Sequence, residues 1–207
     1  MSTDPVGASF DRIAEQYAAD FADELSRKPY DVDRLRGFAA TCPTGPVLDV
    51  GCGAAGHVGG FLADHGARVV GVDLSARSVV LAARLNPSLR FVAADVTALP
   101  FASGACAGAV AFYSLIYTAD PRPALVELRR VLRRGGALLV AVHAGEGAQR
   151  FDSYKGLPID IELHLRSPEV LATQTSQSGF SVEAVDVRAP YPFEHATRRL
   201  YLSARAA

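Results

Sequence analysis

Apolar residues follow two rhythms along this chain. Phe10, Ile13, Ala14, Tyr17, Phe21 and Leu25 recur every three or four positions, which predicts an amphipathic first helix ended by Lys28-Pro29. Val32, Leu35 and Phe38 continue in a second helix that Asp31 is placed to cap. Thr41-Cys42-Pro43-Thr44-Gly45-Pro46 is a linker of turn residues. Short continuous apolar runs then alternate with helical stretches. Strands are expected at about 46–50, 68–73, 89–94, 108–113 and 137–142, with helices at about 56–64, after Ser75 and after Asp120-Pro121. Ala137 to Val142 is apolar throughout, as suits a strand covered on both faces. A long polar segment, about 144–166, comes next. Ser167-Pro168-Glu169 starts a further helix, Ser178-Gly179-Phe180 ends it, and the last strands fall at about 181–188 and 198–204. Alternation of this kind implies an α/β fold, with a mostly parallel sheet and helices on both faces.

Composition narrows the class. At 207 residues the chain suits one domain with a sizeable core. Hydrophobic residues are 49% and charged residues 21%, so a folded globule is expected. A net charge of −1 and the absence of a basic tail argue against a nucleic-acid partner. Cys42, Cys52 and Cys106 are an odd set without paired spacing, which disfavours a disulfide framework or a metal site. The start Met1-Ser2-Thr3-Asp4-Pro5 has no basic, then apolar, targeting pattern, and no run approaches a membrane span. A cytoplasmic protein is expected.

Chemistry concentrates at strand ends. Val47-Leu48-Asp49-Val50-Gly51-Cys52-Gly53 describes a buried strand with an acid near its end and a glycine turn, and Asp73 closes the next apolar run. Such a unit binds the adenosine part of a cofactor: glycines admit the ligand to the backbone, and the second acid accepts from ribose hydroxyls. Gly51, Gly53 and Gly56 also fit the dinucleotide pattern, with Asp73 about 20 residues on. Asp49 discriminates, because a carboxylate there would repel a pyrophosphate. It suits S-adenosylmethionine, which carries a cationic sulfur and an ammonium group.

The stretch 47–53 resembles the first motif of class I SAM-dependent methyltransferases. Gly71-Val72-Asp73-Leu74-Ser75, Ala94 to Phe101, and Leu128 to Gly136 are similar to that family's later motifs, in order. Two departures stand out: one extra small residue in Ala54-Ala55-Gly56, and Cys106-Ala107 where an aromatic–acid pair is common. The resemblance implies a Rossmann-like, doubly wound, seven-stranded sheet whose last strand is antiparallel. It implies S-adenosylmethionine as cofactor, with S-adenosylhomocysteine as product, and a small-molecule acceptor. Asp49 would organise the glycine loop and the methionine portion. Gly51, Cys52 and Gly53 would form that loop, Asp73 would hold the ribose, Leu74 would cover the adenine, and Asp95 with the Val96 backbone would hold its edge. The backbone near Ala111 and Phe112 would approach the methionine amino group, and Tyr17 would close as part of a lid. Residues 1–42 are then a helical lid, 46–143 the cofactor-binding core, and 144–207 the substrate-side segment and final strands.

Methyl transfer needs positioning more than a fixed triad. A base helps where the nucleophile starts protonated. His143 follows strand five at the active edge. Glu162 and His164, two apart, would share one side of an extended segment roofing the pocket. These three are the catalytic candidates, each against the alternative of an ordinary loop or surface side chain. Tyr113, Tyr117 and the Glu194-His195 turn are substrate-side candidates. Residues 1–30 and about 144–166 are expected to be mobile and to close together over the ligands. Strand four lacks an Asx-Pro-Pro-aromatic motif, and no Pro-Cys nucleophile occurs, so nucleobase methylation is disfavoured. A nicotinamide-dependent reductase, a non-catalytic cofactor binder and a non-methylating reaction of the same cofactor stay open. The chain would act as a monomer or homodimer.

Overall fold

The computed structural model describes residues 4–207. Met1, Ser2 and Thr3, the first residues of the polar start, lie outside the described residues. Asp4 accepts from the Val6 and Gly7 amides and caps α1 (Pro5–Phe21). A 3-10 turn (Glu24–Arg27) leads to α2 (Pro29–Thr41). The central unit then runs β1 (Pro46–Val50), α3 (His57–Asp64), β2 (Arg68–Asp73), α4 (Ala76–Leu85), β3 (Arg90–Ala93), β4 (Cys106–Phe112), α5 (Arg122–Val131) and β5 (Leu132–Ala144). After β6 (Ala148–Tyr154) and β7 (Leu157–His164) come α6 (Pro168–Gln177), β8 (Phe180–Arg188) and β9 (Arg198–Ala206).

Seven strands form one sheet in the order β3-β2-β1-β4-β5-β9-β8, with β9 antiparallel to both neighbours. β4 is buried at all seven positions, as the middle of a sheet with both faces covered requires. One face carries α5 and α6, where Leu125, Leu128 and Leu171 pack on Leu138, Val140 and Leu202. The other carries α2 and α3, with Leu35, Phe38 and Leu62 on Val47, Val110 and Leu139. Gly108 lets α2 approach, since a Cβ there would lie 2.5 Å from Cys42 Sγ.

One expectation is corrected. Asp31 does not cap α2; it sits fully buried in its first turn and faces β8 and β9. The polar segment 144–166 is an antiparallel hairpin of β6 and β7 outside the main sheet. Along β7, Ile159, Ile161 and Leu163 are buried while Pro158, Asp160 and Glu162 are exposed. The buried face packs on Ile13 and Phe10 of α1. Ser9 Oγ accepts from the Asp160 amide at 2.9 Å, and Arg12 donates to the Pro158 carbonyl at 2.7 Å. At its other side α1 is held by Asp11, which accepts from Ser75 Oγ at 2.7 Å. The first helix therefore bridges the hairpin and the start of α4.

Candidate active site

A cleft of about 610 Å³ opens at the carboxyl ends of β1, β2 and β4, under α1 and the hairpin. Open α/β sheets bind ligands at this edge. Gly51 and Gly53 turn the chain out of β1 with φ of +70° and +63°. The Gly51 and Cys52 amides donate to the Val72 carbonyl, which fixes the loop against β2. A Cβ on Gly51 would fall 2.1 Å from Ser114 Cβ, so that glycine is required by packing. A Cβ on Gly53 would meet only Tyr17, at 4.0 Å. Its face is open to the cleft, beneath the half-buried Tyr17 ring.

Asp73 Oδ2 accepts from the Gly53 amide at 2.8 Å, and Oδ1 from the Ser75 amide at 2.9 Å. Each oxygen keeps a lone pair for another donor. Burial raises the Asp73 pKa, and the two amides oppose that. Asp95, exposed at the cleft, spends Oδ1 on the Thr97 amide and hydroxyl, while Oδ2 has no partner among the described residues. Leu74, Val96, Cys52 and Phe112 also line the cleft. Asp49 does not. It is buried below the glycine loop, with Oδ2 unpartnered beside Gly59, and burial pushes its pKa up to about 7. Direct contact with a cofactor, one of the two roles expected for it, does not suit that position.

The opposite end of the cleft is apolar above and charged below. Phe10, Ile13, Phe151, Ile159, Ile161 and Leu163 form the roof. Tyr117 meets Phe10 edge-on at 5.0 Å. Below runs a buried ionic chain. Glu24 contacts His57 and Lys28, Lys28 reaches Glu194 at 3.1 Å, and Arg188 joins Glu194 at 2.7 Å to Asp31 at 2.9 Å. Asp31 also binds the Tyr201 hydroxyl, which lies 2.8 Å from the Tyr113 hydroxyl. Burial alone would raise the Glu194 pKa, but Arg188, the Tyr191 amide and Lys28 hold it at about 2. Tyr113 has φ +56°, uncommon for a residue with a side chain, and its hydroxyl is committed to this chain. Its ring lies beside Lys28 and Arg199 at the cleft.

Of the three catalytic candidates, His143 lines the cleft. Burial, with the Arg199, His195 and Lys28 charges near it, depresses its pKa to about 3, so the ring is neutral and a poor proton acceptor. Glu162 and His164 do share one side of β7, 3.4 Å apart, but that side faces away from the cleft. They are not placed for catalysis, because Ile159, Ile161 and Leu163 occupy the inward positions of the alternating strand. Glu194 is held by cations and is structural, whereas His195 beside it is exposed at the cleft. Sequence reasoning missed Thr197, Arg199, Lys28 and the inward isoleucines. The alternation from Leu157 to His164 was the available signal for the last of these.

No group of three histidine, cysteine, aspartate or glutamate side chains is placed to hold a metal among the described residues. No helix among them is long and apolar enough to cross a membrane. Residues 48–140 match the family described as methyltransferase domain. A demethylmenaquinone methyltransferase from Renibacterium salmoninarum is 31% identical over 145 residues, covering 67% of this chain and 58% of that protein. The O-methyltransferase rstn1 of Aspergillus nomiae is 31% identical over 156 residues, covering 69% of this chain and 67% of that one. The chain thus spans about three fifths of the length of the demethylmenaquinone relative and two thirds of the other. A SAM-dependent methyltransferase structure from Methanosarcina mazei superposes with a TM-score of 0.72 at 17% identity, covering 80% of this chain and 94% of that one.

Proposed function

The chain belongs to the class I SAM-dependent methyltransferase family, and from that premise we infer that it binds S-adenosylmethionine in the cleft and methylates a small, largely apolar molecule held under the hairpin. The observation that carries the reading is the open face of Gly53 beside Asp73, whose two oxygens keep lone pairs toward the cleft. Asp73 would accept from the ribose, Leu74 would cover the adenine, and Asp95 Oδ2 with the Val96 amide would meet its edge. When bound, the cofactor supplies an electrophilic methyl on a sulfonium. The chain's own residues position and exclude water: Tyr17 and Phe10 cover the cleft, and Ile161 and Leu163 offer an apolar wall to the acceptor. Family membership sets aside a nicotinamide-dependent reductase.

On this reading residues 1–42 contribute the lid and 46–143 the cofactor core. The hairpin and the turn between β8 and β9 supply the substrate side of 144–207, while β8 and β9 complete the sheet and α6 covers it. The acceptor is a small molecule and not a nucleic acid, the compartment is the cytoplasm, and the chain acts as a monomer or homodimer. Calorimetry with S-adenosylhomocysteine tests the cofactor site. Asp73→Ala should weaken binding by about 10-fold or more per lost hydrogen bond to the charged acceptor. Unchanged affinity would remove Asp73 from the site.

A further inference from the structure

Thr197 places its hydroxyl 2.6 Å from Nδ1 of His143 and 2.9 Å from Nη1 of Arg199. A guanidinium only donates. The hydroxyl accepts from Arg199, and among the described residues His143 Nδ1 is the acceptor within reach of its single hydrogen. In that arrangement the neutral His143 ring carries its proton on Nε2, the nitrogen with no partner among the described residues. His195 is oriented the other way. Its Nε2 lies 2.8 Å from Gln149 Oε1, an amide oxygen that only accepts. Nε2 of His195 donates to it, and Nδ1 of His195 has no partner among the described residues. Both rings line the cleft, with centroids 5.9 Å apart.

We propose that His143 and His195 are a donor–acceptor pair that selects an aromatic or enolic hydroxyl lying next to a carbonyl oxygen. His143 Nε2–H donates to the carbonyl, and His195 Nδ1 accepts from the hydroxyl. The surroundings suit a flat ring: Tyr113 meets His143 edge-on at 5.7 Å, Phe151 meets His195 edge-on at 6.2 Å, and Leu163 closes the roof. When the hydroxyl ionises, its O–H bond breaks, the proton passes to His195 Nδ1 and the electron pair stays on oxygen. His143 is the specificity-determining residue, and His195, exposed to water, returns the proton to solvent. Burial and the charge of Arg199 keep His143 neutral, so it does not compete for that proton. This deepens the methyltransferase reading by naming the acceptor class, and it rests on that reading for the fate of the ionised oxygen.

Two measurements test it. Long-range nitrogen–proton NMR of the histidine rings at pH 8 should find Nε2 protonated and Nδ1 bare in both residues, with Nδ1 of His143 hydrogen-bonded. Thr197→Val should erase that hydrogen-bond signature at His143 and leave His195 unchanged. A proton on Nδ1 of either ring overturns the pairing. In the second, 1-hydroxy-2-acetonaphthone, 1-naphthol and 2-acetonaphthone are titrated into the protein with S-adenosylhomocysteine present. The hydroxy-ketone should bind at least 10-fold more tightly than either single-group analogue, and His143→Phe should abolish that preference. Absence of the preference in the parent, or its survival in His143→Phe, overturns the proposal. Failure to bind S-adenosylhomocysteine would strike the cofactor reading, while the tautomers would still decide the pairing.

Discussion

Arg188 at the end of β8 donates to Asp31 at 2.9 Å, although 157 residues separate them in the chain. Asp31 is fully buried, and Arg188 is its cationic partner. The pair ties α2, which lies before the cofactor core, to the far edge of the sheet. Removing the acid leaves Arg188 with Glu194 alone and takes the acceptor from the buried Tyr201 hydroxyl, which typically costs about 1–3 kcal/mol. Asp31→Ala should lower the urea midpoint accordingly. Asp31→Asn should recover part of the loss, because its amide oxygen can still accept from Arg188 or Tyr201. If the single variant unfolds at the parent midpoint, the ion pair contributes nothing to stability.

Asp49 reports on pH with the opposite sign from most carboxylates. Its folded pKa, about 7, lies above the unfolded value of roughly 3.9. Between these limits the native state holds more protons than the unfolded state, so stability contributed by this group falls as pH rises. Each unit of difference is worth about 1.4 kcal/mol. Asp49→Asn cannot ionise, so its stability relative to the parent should grow from pH 4 to pH 8. Denaturation curves at the two pH values give the answer, and a constant difference would place the carboxyl in its ordinary range.

The glycine loop separates a packing role from a ligand role. Gly51→Ala drives a methyl into Ser114 and should destabilise the fold beyond the roughly 1–2 kcal/mol of left-handed backbone strain. Gly53→Ala meets no such obstacle and should carry the strain alone, yet lose affinity for S-adenosylhomocysteine because its methyl enters the cleft. Thermal unfolding and calorimetry on both variants should therefore rank them in opposite ways relative to expectation from a single shared role. Equal destabilisation would show that Ser114 yields.

Helix α1 and the β6–β7 hairpin should respond together to ligand. Ser9 and Arg12 join them at Asp160 and Pro158, and Tyr154 donates to Asp20 at 2.6 Å. Hydrogen exchange of 4–30 and 148–164 should slow on adding S-adenosylhomocysteine, with β1, β4 and β5 unaffected. Slowing in α1 without the hairpin would mean that the two move independently.

Much of the cofactor side was legible in the chain because its signals are local. The run Val47 to Gly53, the acid at 73 and the cap at Ser75 each fall at the junction of two periodicities, and parallel strands put such junctions on one edge. The acceptor side was less legible. Two-residue spacing put Glu162 and His164 on one side of an extended chain, but spacing alone does not say which side is covered. Ile159, Ile161 and Leu163 held that information, masked by the charged residues between them. The ionic chain from His57 to Asp31 and Tyr201 was invisible, since no local pattern links residues brought together from opposite ends of the chain.

The hairpin leaves and rejoins the core at almost one point. Ala144 and Arg166 form a parallel bridge, the Arg166 amide donates to the His143 carbonyl, and the Gly145 amide donates to the Arg166 carbonyl. Everything between is a closed excursion whose strands pair only with each other. Its sequence can drift, lengthen or be exchanged without disturbing the register of the seven-stranded sheet. About twenty residues that roof the cleft can then vary as a unit while the strands beneath keep their pairing.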